Sequence, residues 1–224
     1  MHRRINSALL LLLLACATQI APNRYGLRVV SDAATYERLA KADHAKRLVD
    51  LEGIAPLDIR YATIHNFMNR QLYPAAKAYL RAPAAAALRN VQADLAREGL
   101  GIKVFDAYRP YRVTEAMWEP IKNPDYVADP AKGSRHNRGA AVDVTLIELK
   151  NGTELPMPTA YDDFTARAGH AFTDLPPEVL ANRAKLRDMM TKHGFEPLPS
   201  EWWHYDFKGW ERFELMDVPF AELP

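Results

Sequence analysis

The chain has 224 residues, enough for one well-packed domain, and its 48% hydrophobic and 25% charged composition lies near globular averages, which excludes a disordered or low-complexity protein. Its 29 basic and 28 acidic side chains give a formal charge of +1, too even a balance for generic DNA or RNA binding, so no nucleic-acid partner is expected. The single cysteine, Cys16, excludes an intramolecular disulfide and, within a monomer, any zinc site made of four cysteines or of two cysteines and two histidines.

The first residues read as an export address. His2, Arg3 and Arg4 precede the apolar run Ala8 to Ala15, the charged-then-hydrophobic order of a secretion signal. That run falls short of the roughly 20 apolar residues a transmembrane helix needs, and nothing downstream approaches such a length. Leu13-Leu14-Ala15-Cys16 resembles a bacterial lipobox, in which the cysteine becomes the lipidated first residue after cleavage. On this reading residues 1–15 are a lipoprotein-type signal peptide, 16–30 an exported tether and 31–224 the functional domain, held on the periplasmic side of a membrane through Cys16. Ordinary cleavage near Ala15-Cys16-Ala17 gives a soluble periplasmic protein instead.

Further along, Ser31 to Leu51 is helix-compatible, with Asp32 as N-cap and Gly53-Ile54-Ala55-Pro56 as the stop. Asp58 to Ile64 reads as a short strand on its branched and aromatic residues. A helix is expected from near Pro83, where Ala84, Leu88, Val91 and Leu95 fall on one face and Gly99 supplies a C-terminal cap. Ile102 to Asp106 alternates as a strand does and runs into the turn Ala107-Tyr108-Arg109-Pro110, which can present a fixed cation. Pro124 and Pro130 make Asn123 to Gly133 a loop; Ala140 to Ile147 is a strand after a turn at Gly139, and Asn151-Gly152 is another reversal. The loop-rich segment Leu155 to Gly169 is suited to overlie a site.

Pro177 opens a helix carrying Val179, Arg183, Leu186 and Met190, with Gly194 ending it and Arg183 required at the edge of its apolar stripe. Trp202 to Phe207 reads as a strand, and the tail with Pro219 and Pro224 as irregular. No repeat or clear linker divides the chain. The expected fold is α+β, a single domain with a small, mainly antiparallel sheet packed against helices and site residues at strand ends.

Among seven histidines, the useful combination is Ser134-Arg135-His136-Asn137-Arg138-Gly139-Ala140-Ala141-Val142-Asp143 with Glu201-Trp202-Trp203-His204. Two histidines and a carboxylate make a recurring catalytic zinc set that leaves a fourth position for water. Gly139 lets the chain turn between His136 and Asp143, and His204 arrives from a later strand; ordinary hydrogen-bonded or surface roles are the alternative for all three. Glu201 is a carboxylate able to move protons beside such water, or else a surface acid or an arginine's partner. Arg109 can stabilise developing negative charge, or form a buried salt bridge with Asp106 or another acid. Tyr108, Trp118, Trp202 and Trp203 read as core or pocket wall, and His44, His65, His170 and His193 as local structure.

Four stretches in order, YATIHNF (61–67), VFDAYRP (104–110), SRHNRGAAVDVTL (134–146) and EWWHYDF (201–207), together resemble the zinc D-alanyl-D-alanine dipeptidase family, the VanX-type peptidases, over roughly Leu51 to Glu211. The resemblance implies zinc on His136, Asp143 and His204, one ion per subunit, with Glu201 as general acid/base and Arg109 stabilising the tetrahedral intermediate. It also implies substrate contacts from Ser134, to a substrate oxygen, and from Asp162 in MPTAYDDF, to the free ammonium; Pro158 stands where relatives often have glycine. The implied reaction is hydrolysis of D-alanyl-D-alanine to two D-alanines, with the small dipeptide as partner; no protein partner is inferred. A D,D-carboxypeptidase or related peptidoglycan-peptide hydrolase is the nearest alternative, and a nonenzymatic periplasmic peptide-binding protein the alternative of a different class.

Overall fold

The computed structural model describes residues 20–124 and 126–223; the signal-peptide reading and Cys16 lie outside the described residues. Strand β1 (Val29–Val30) pairs in parallel with a late strand, β8 (Leu215–Met216), and Val30 is buried, so the folded domain reaches back into the stretch read as a tether. Helix α1 (Ala33–Ala42) starts at its expected cap, where Asp32 Oδ1 accepts from the Thr35 N–H at 2.8 Å. It stops well short of Leu51. Asp43 closes it and caps a 3₁₀ turn at His44–Lys46, after which β2 (Leu48–Asp50) pairs antiparallel with β3 (Tyr79–Arg81). Leu48 and Leu51 are buried from extended rather than helical chain, a tertiary pairing that overrides local propensity.

The strand expected at Asp58 to Ile64 does not form. Val104 donates to the Pro56 carbonyl at 2.9 Å and Asp58 donates to the Val104 carbonyl at 2.8 Å, and the chain then leaves the sheet for a 3₁₀ turn at Arg60–Ala62. Packing of the Tyr61 ring edge-on to Phe67 and Tyr73 wins over the segment's β propensity.

Helix α2 (Ala82–Ala96) begins with Pro83 in its first turn, and Ala84, Leu88, Val91 and Leu95 are all buried. Strand β4 (Leu100–Asp106) follows. Helix α3 (Tyr111–Ile121) has no counterpart among the expected elements: it starts behind Pro110, tolerates Pro120 only at its last turn, and buries Val113, Thr114 and Met117. After β5 (Ala141–Glu148), α4 (Pro177–Lys192) buries the expected Val179, Arg183, Leu186 and Met190. Arg183 is accommodated because its guanidinium donates to the Gly169 carbonyl at 2.9 Å. Strands β6 (Phe195–Pro197) and β7 (His204–Phe207) close the main sheet, β7 starting two residues later than expected. The tail is more regular than the prolines suggest: Phe220–Glu222 forms a 3₁₀ turn whose Phe220 ring sits among Tyr73, Tyr79 and Tyr108.

The main sheet runs β4-β5-β7-β6, antiparallel throughout, and α2 and α4 pack against it. Leu88, Val91, Leu186 and Met190 share one buried cluster with Val104, Val144 and Leu146. Each such side chain contributes about 1.5–3 kcal/mol on burial. Because side chains alternate along a strand, Asp143 lies on the opposite face from Val142 and Val144. The fold is α+β as expected, and among the described residues no helix is long and apolar enough to cross a membrane.

Candidate active site

Sheet register sets three polar residues side by side. Val104 of β4 faces Val144, yet Asp106 faces Asp143, so a bulge at Phe105 brings Asp106 into register with β5. Asp143 is in turn paired with His204 of β7. Directly opposed residues share a face, which makes Asp106, Asp143 and His204 one row across three strands. His136 joins this row from the 3₁₀ turn His136–Arg138, which Gly139 ends in the left-handed region at φ +65°. A Cβ on Gly139 would meet Leu48 Cδ2 at 2.7 Å, so a side chain there is strained and forces buried Leu48 to shift. Fully buried Arg81 clamps the same turn, Nε donating to the Arg138 carbonyl at 2.7 Å, and burial pulls its pKa down to about 10.

Each imidazole keeps one nitrogen for structure and turns the other inward. His136 Nδ1 is 2.7 Å from the Ala107 carbonyl, to which it donates, and His204 Nε2 is 3.0 Å from Asp206 Oδ1. The inward atoms, His136 Nε2, His204 Nδ1 and Asp143 Oδ1, form a triangle with sides of 3.1, 3.0 and 3.4 Å. A tetrahedral ion with ligand bonds near 2.0–2.1 Å needs its donors about 3.3 Å apart. Asp143 Oδ1 is buried without a hydrogen-bond partner among the described residues, an orphaned acceptor that a cation would satisfy. The donor set therefore fits zinc. Burial opposes charge on Asp143, but the two imidazoles outweigh it and hold the carboxyl far below its usual range. Burial likewise opposes charge on His204, and Asp143 and Asp206 outweigh it, lifting its pKa well above the ordinary imidazole value. Both effects come from close packing of groups of opposite charge, which a metal ion would take over.

Glu201 stands on the turn before β7, its carboxylate 3.9 Å from His204 Nδ1. Burial is the main reason that its pKa is raised, with Asp143 adding to it. Arg109 follows β4 and is buried; its Nε and Nη2 reach Asp106 Oδ2 at 3.0 and 2.7 Å, while Asp106 Oδ1 accepts from the Tyr73 hydroxyl at 2.8 Å. Both sequence readings of Arg109 thus meet in one residue: it forms the buried salt bridge with Asp106 and it also lines the cavity beside the triangle.

The cavity has a volume of about 350 Å³ and contains all seven residues singled out from the sequence: Arg109, Ser134, His136, Asp143, Asp162, Glu201 and His204. Ser134 Oγ also accepts from the His136 N–H at 3.2 Å, so the hydroxyl caps the turn as well as facing the cavity. Asp162 comes from the Leu155 to Gly169 loop with a left-handed φ of +62°. Its Oδ1 accepts from the Tyr61 hydroxyl at 3.0 Å, and Oδ2 is buried with no partner among the described residues. Burial, reinforced by Asp143, pushes its pKa well up. Phe67, Phe164 and Tyr126, from three different loops, meet ring to ring at 5.3 and 5.2 Å and line the same space.

The family model described as D-ala-D-ala dipeptidase, of the M15 peptidases, matches residues 44–222. The chain belongs to this family. The D-alanyl-D-alanine dipeptidase of Escherichia coli (strain K12) is 32% identical over 177 residues, covering 78% of this chain and 91% of that protein. The D-alanyl-D-alanine dipeptidase of Enterococcus faecium is 29% identical over 171 residues, covering 66% and 83%. Among solved structures, VanYB in complex with D-alanine-D-alanine covers 60% of this chain and 74% of its own at 16% identity and a TM-score of 0.39, a level that carries nothing about chemistry.

Four residues of this dipeptidase-family site were not singled out from the sequence. Asp206 lies two residues after His204 on a strand, hence on the same face, and that spacing within EWWHYDF was the available signal. Asp106 was visible only as a salt-bridge partner, since its place in the ligand row depends on a bulge. Tyr61 lies inside YATIHNF, and Tyr161, beside Asp162, donates to Asp143 Oδ2 at 2.9 Å.

Proposed function

We propose that this chain is a zinc-dependent dipeptidase that hydrolyses D-alanyl-D-alanine to two D-alanine molecules, with one zinc ion per subunit on His136, Asp143 and His204. The observation that carries the reading is the donor triangle facing Glu201 and Arg109 inside one cavity. Zinc bound there supplies a Lewis acid for the scissile carbonyl and a lowered pKa for water. Glu201 accepts the proton of the attacking water and returns it to the departing amine, a shuttle helped by the raised pKa that burial gives it. Arg109, pinned by Asp106, offers its remaining N–H groups where the carbonyl oxygen gains charge, so no reorganisation is needed at that moment.

Asp162 takes the substrate ammonium. Its buried Oδ2, without a partner among the described residues, is costly as an anion, and an ammonium ion removes that cost. Ser134 serves a substrate oxygen from the same side as His136. The cavity is at the small end of ligand pockets, and the three-ring group of Phe67, Phe164 and Tyr126 takes up part of its wall, which favours a free dipeptide over a chain-extended one.

Purified full-length protein is expected to release D-alanine from the dipeptide, to stop when a chelator strips its zinc and to recover when zinc is returned. Absence of hydrolysis at full zinc occupancy overturns the assignment and favours the peptide-binding alternative. The leader sequence extends the proposal to export, with a lipid on Cys16 holding the enzyme on the periplasmic side of the membrane. Mass spectrometry of the mature N-terminus tests this: a lipidated Cys16 supports anchoring, and an unmodified terminus beyond it leaves a soluble periplasmic enzyme.

A further inference from the structure

We infer that Tyr161 is a positioning residue for the metal centre: its hydroxyl fixes the second oxygen of Asp143, beside a second hydroxyl, that of Tyr61, which holds Asp162. The inference rests on the metal reading proposed above. A carboxylate that offers one oxygen to an ion can still rotate about its terminal torsion, which is broad and weakly restrained. Neighbours in the row leave its second oxygen unheld, because the histidines meet only Oδ1 and Asp106 is occupied by Arg109 and Tyr73. The Tyr161 hydroxyl does, donating to Asp143 Oδ2 at 2.9 Å while Oδ1 faces the imidazoles.

The ring that carries this hydroxyl is itself held. It stacks on Phe105 at 4.7 Å and 27°, and meets Trp203 edge-on at 5.5 Å and 75°. Phe105 is the bulged residue that brings Asp106 into the row, and Trp203 immediately precedes His204, so Tyr161 is clamped by the two segments that set the ligands. On a regular extended chain Tyr161 and Asp162 would point to opposite sides. The left-handed φ at Asp162 breaks that alternation, and both side chains reach the site.

Beyond Tyr161, the Tyr61 hydroxyl lies 3.2 Å away and donates to Asp162 Oδ1 at 3.0 Å. Each hydroxyl has one proton, so with Tyr161 donating to Asp143 and Tyr61 donating to Asp162 the two donors point outward to the two carboxylates. One end of this pair orients the metal ligand, and the other orients the acid proposed for the ammonium. Metal ligands held in this manner lose about 10–100-fold in metal affinity or activity when the supporting group is removed.

Tyr161→Phe deletes one oxygen and keeps every ring contact, and Tyr61→Phe is its control. Zinc affinity by competition with a chromophoric chelator, the visible spectrum of the cobalt-substituted protein, the melting temperature and the separate kcat and KM values provide the readouts. Tyr161→Phe is expected to bind zinc about 10–100-fold more weakly, to shift the cobalt bands and to lower kcat, at unchanged melting temperature. Tyr61→Phe is expected to raise KM while leaving zinc affinity and the cobalt bands as in the wild type. Wild-type zinc affinity with unshifted cobalt bands in Tyr161→Phe overturns the inference alone, as does an equal loss of affinity in both variants. A wild-type protein that takes up no zinc overturns it together with the metal reading.

Discussion

The cavity has two walls built on different principles. On the sheet side, Asp106, Asp143 and His204 stand in register on three hydrogen-bonded strands, and His136 is tied to Ala107 at their edge. On the loop side, Tyr61, Phe67, Tyr126, Asp162 and Phe164 converge from segments with little regular structure, and Asp162 needs a backbone conformation rare for residues other than glycine. Strand register fixes the relative positions of the groups proposed to share an ion. Loops supply shape and charge that can change without disturbing the ligands, as expected where recognition rests on a rigid scaffold.

If that division is right, damage to the sheet wall destroys chemistry and damage to the loop wall changes selection. The largest effect is expected from His204→Ala or Asp143→Ala, which should lose bound zinc by metal analysis and all detectable D-alanine release, while a variant that keeps stoichiometric zinc would break the ligand assignment. Glu201→Gln comes next: kcat should fall about 10²–10⁴-fold with zinc retained. Because burial raises the Glu201 pKa and the reaction uses its ionised form, wild-type activity should decline as pH falls through a value above the ordinary glutamate range. That acid limb should disappear in the Gln variant.

On the loop wall, Asp162→Asn should raise KM by at least roughly 30-fold, the lower end for losing one partner of a buried charge pair, with little change in bound zinc. It should also stabilise the empty protein. A carboxyl whose folded-state pKa is raised contributes stability at low pH that is lost as pH rises through that pKa, so removing its charge helps at neutral pH and not in acid. Calorimetry should find a melting temperature higher by roughly 2–4 °C near neutral pH, the shift that about 1 kcal/mol gives a chain of this size. The smallest effect on the dipeptide is expected from Phe164→Ala, which opens the ring cluster: kcat/KM for the free dipeptide should change only a few-fold, whereas chain-extended peptides should become substrates. Unchanged selectivity would remove the aromatic rings from the account of specificity.

Legibility in the sequence follows the same division. Helices α2 and α4 were readable because their buried positions repeat at helical spacing and proline and glycine mark their ends. His136, Asp143 and His204 could be picked out as a candidate set because a glycine turn and a later strand are local features, and the four motifs in order supplied their role by resemblance. What could not be read depends on pairing between distant segments. The Phe105 bulge is a register event between β4 and β5, β2 is a strand only because β3 lies beside it, and Tyr61 turns out of extended chain for ring contacts that include Tyr73 and Tyr161, beyond its own segment. Helix α3 was hidden by a late proline and charged residues in its apolar pattern. Tyr161 was unreadable for the same reason as Phe105, because its partner Asp143 is fixed by tertiary packing.

The most direct test of the central claim is the rate of amine release from free D-alanyl-D-alanine, its N-blocked form and a chain-extended peptide, measured side by side on the zinc-loaded full-length protein. The account predicts rapid cleavage of the free dipeptide and little of the other two, since Asp162 requires a free ammonium and the ring cluster limits length. Equal or faster cleavage of the longer peptide contradicts it and makes the protein a carboxypeptidase on the same metal chemistry.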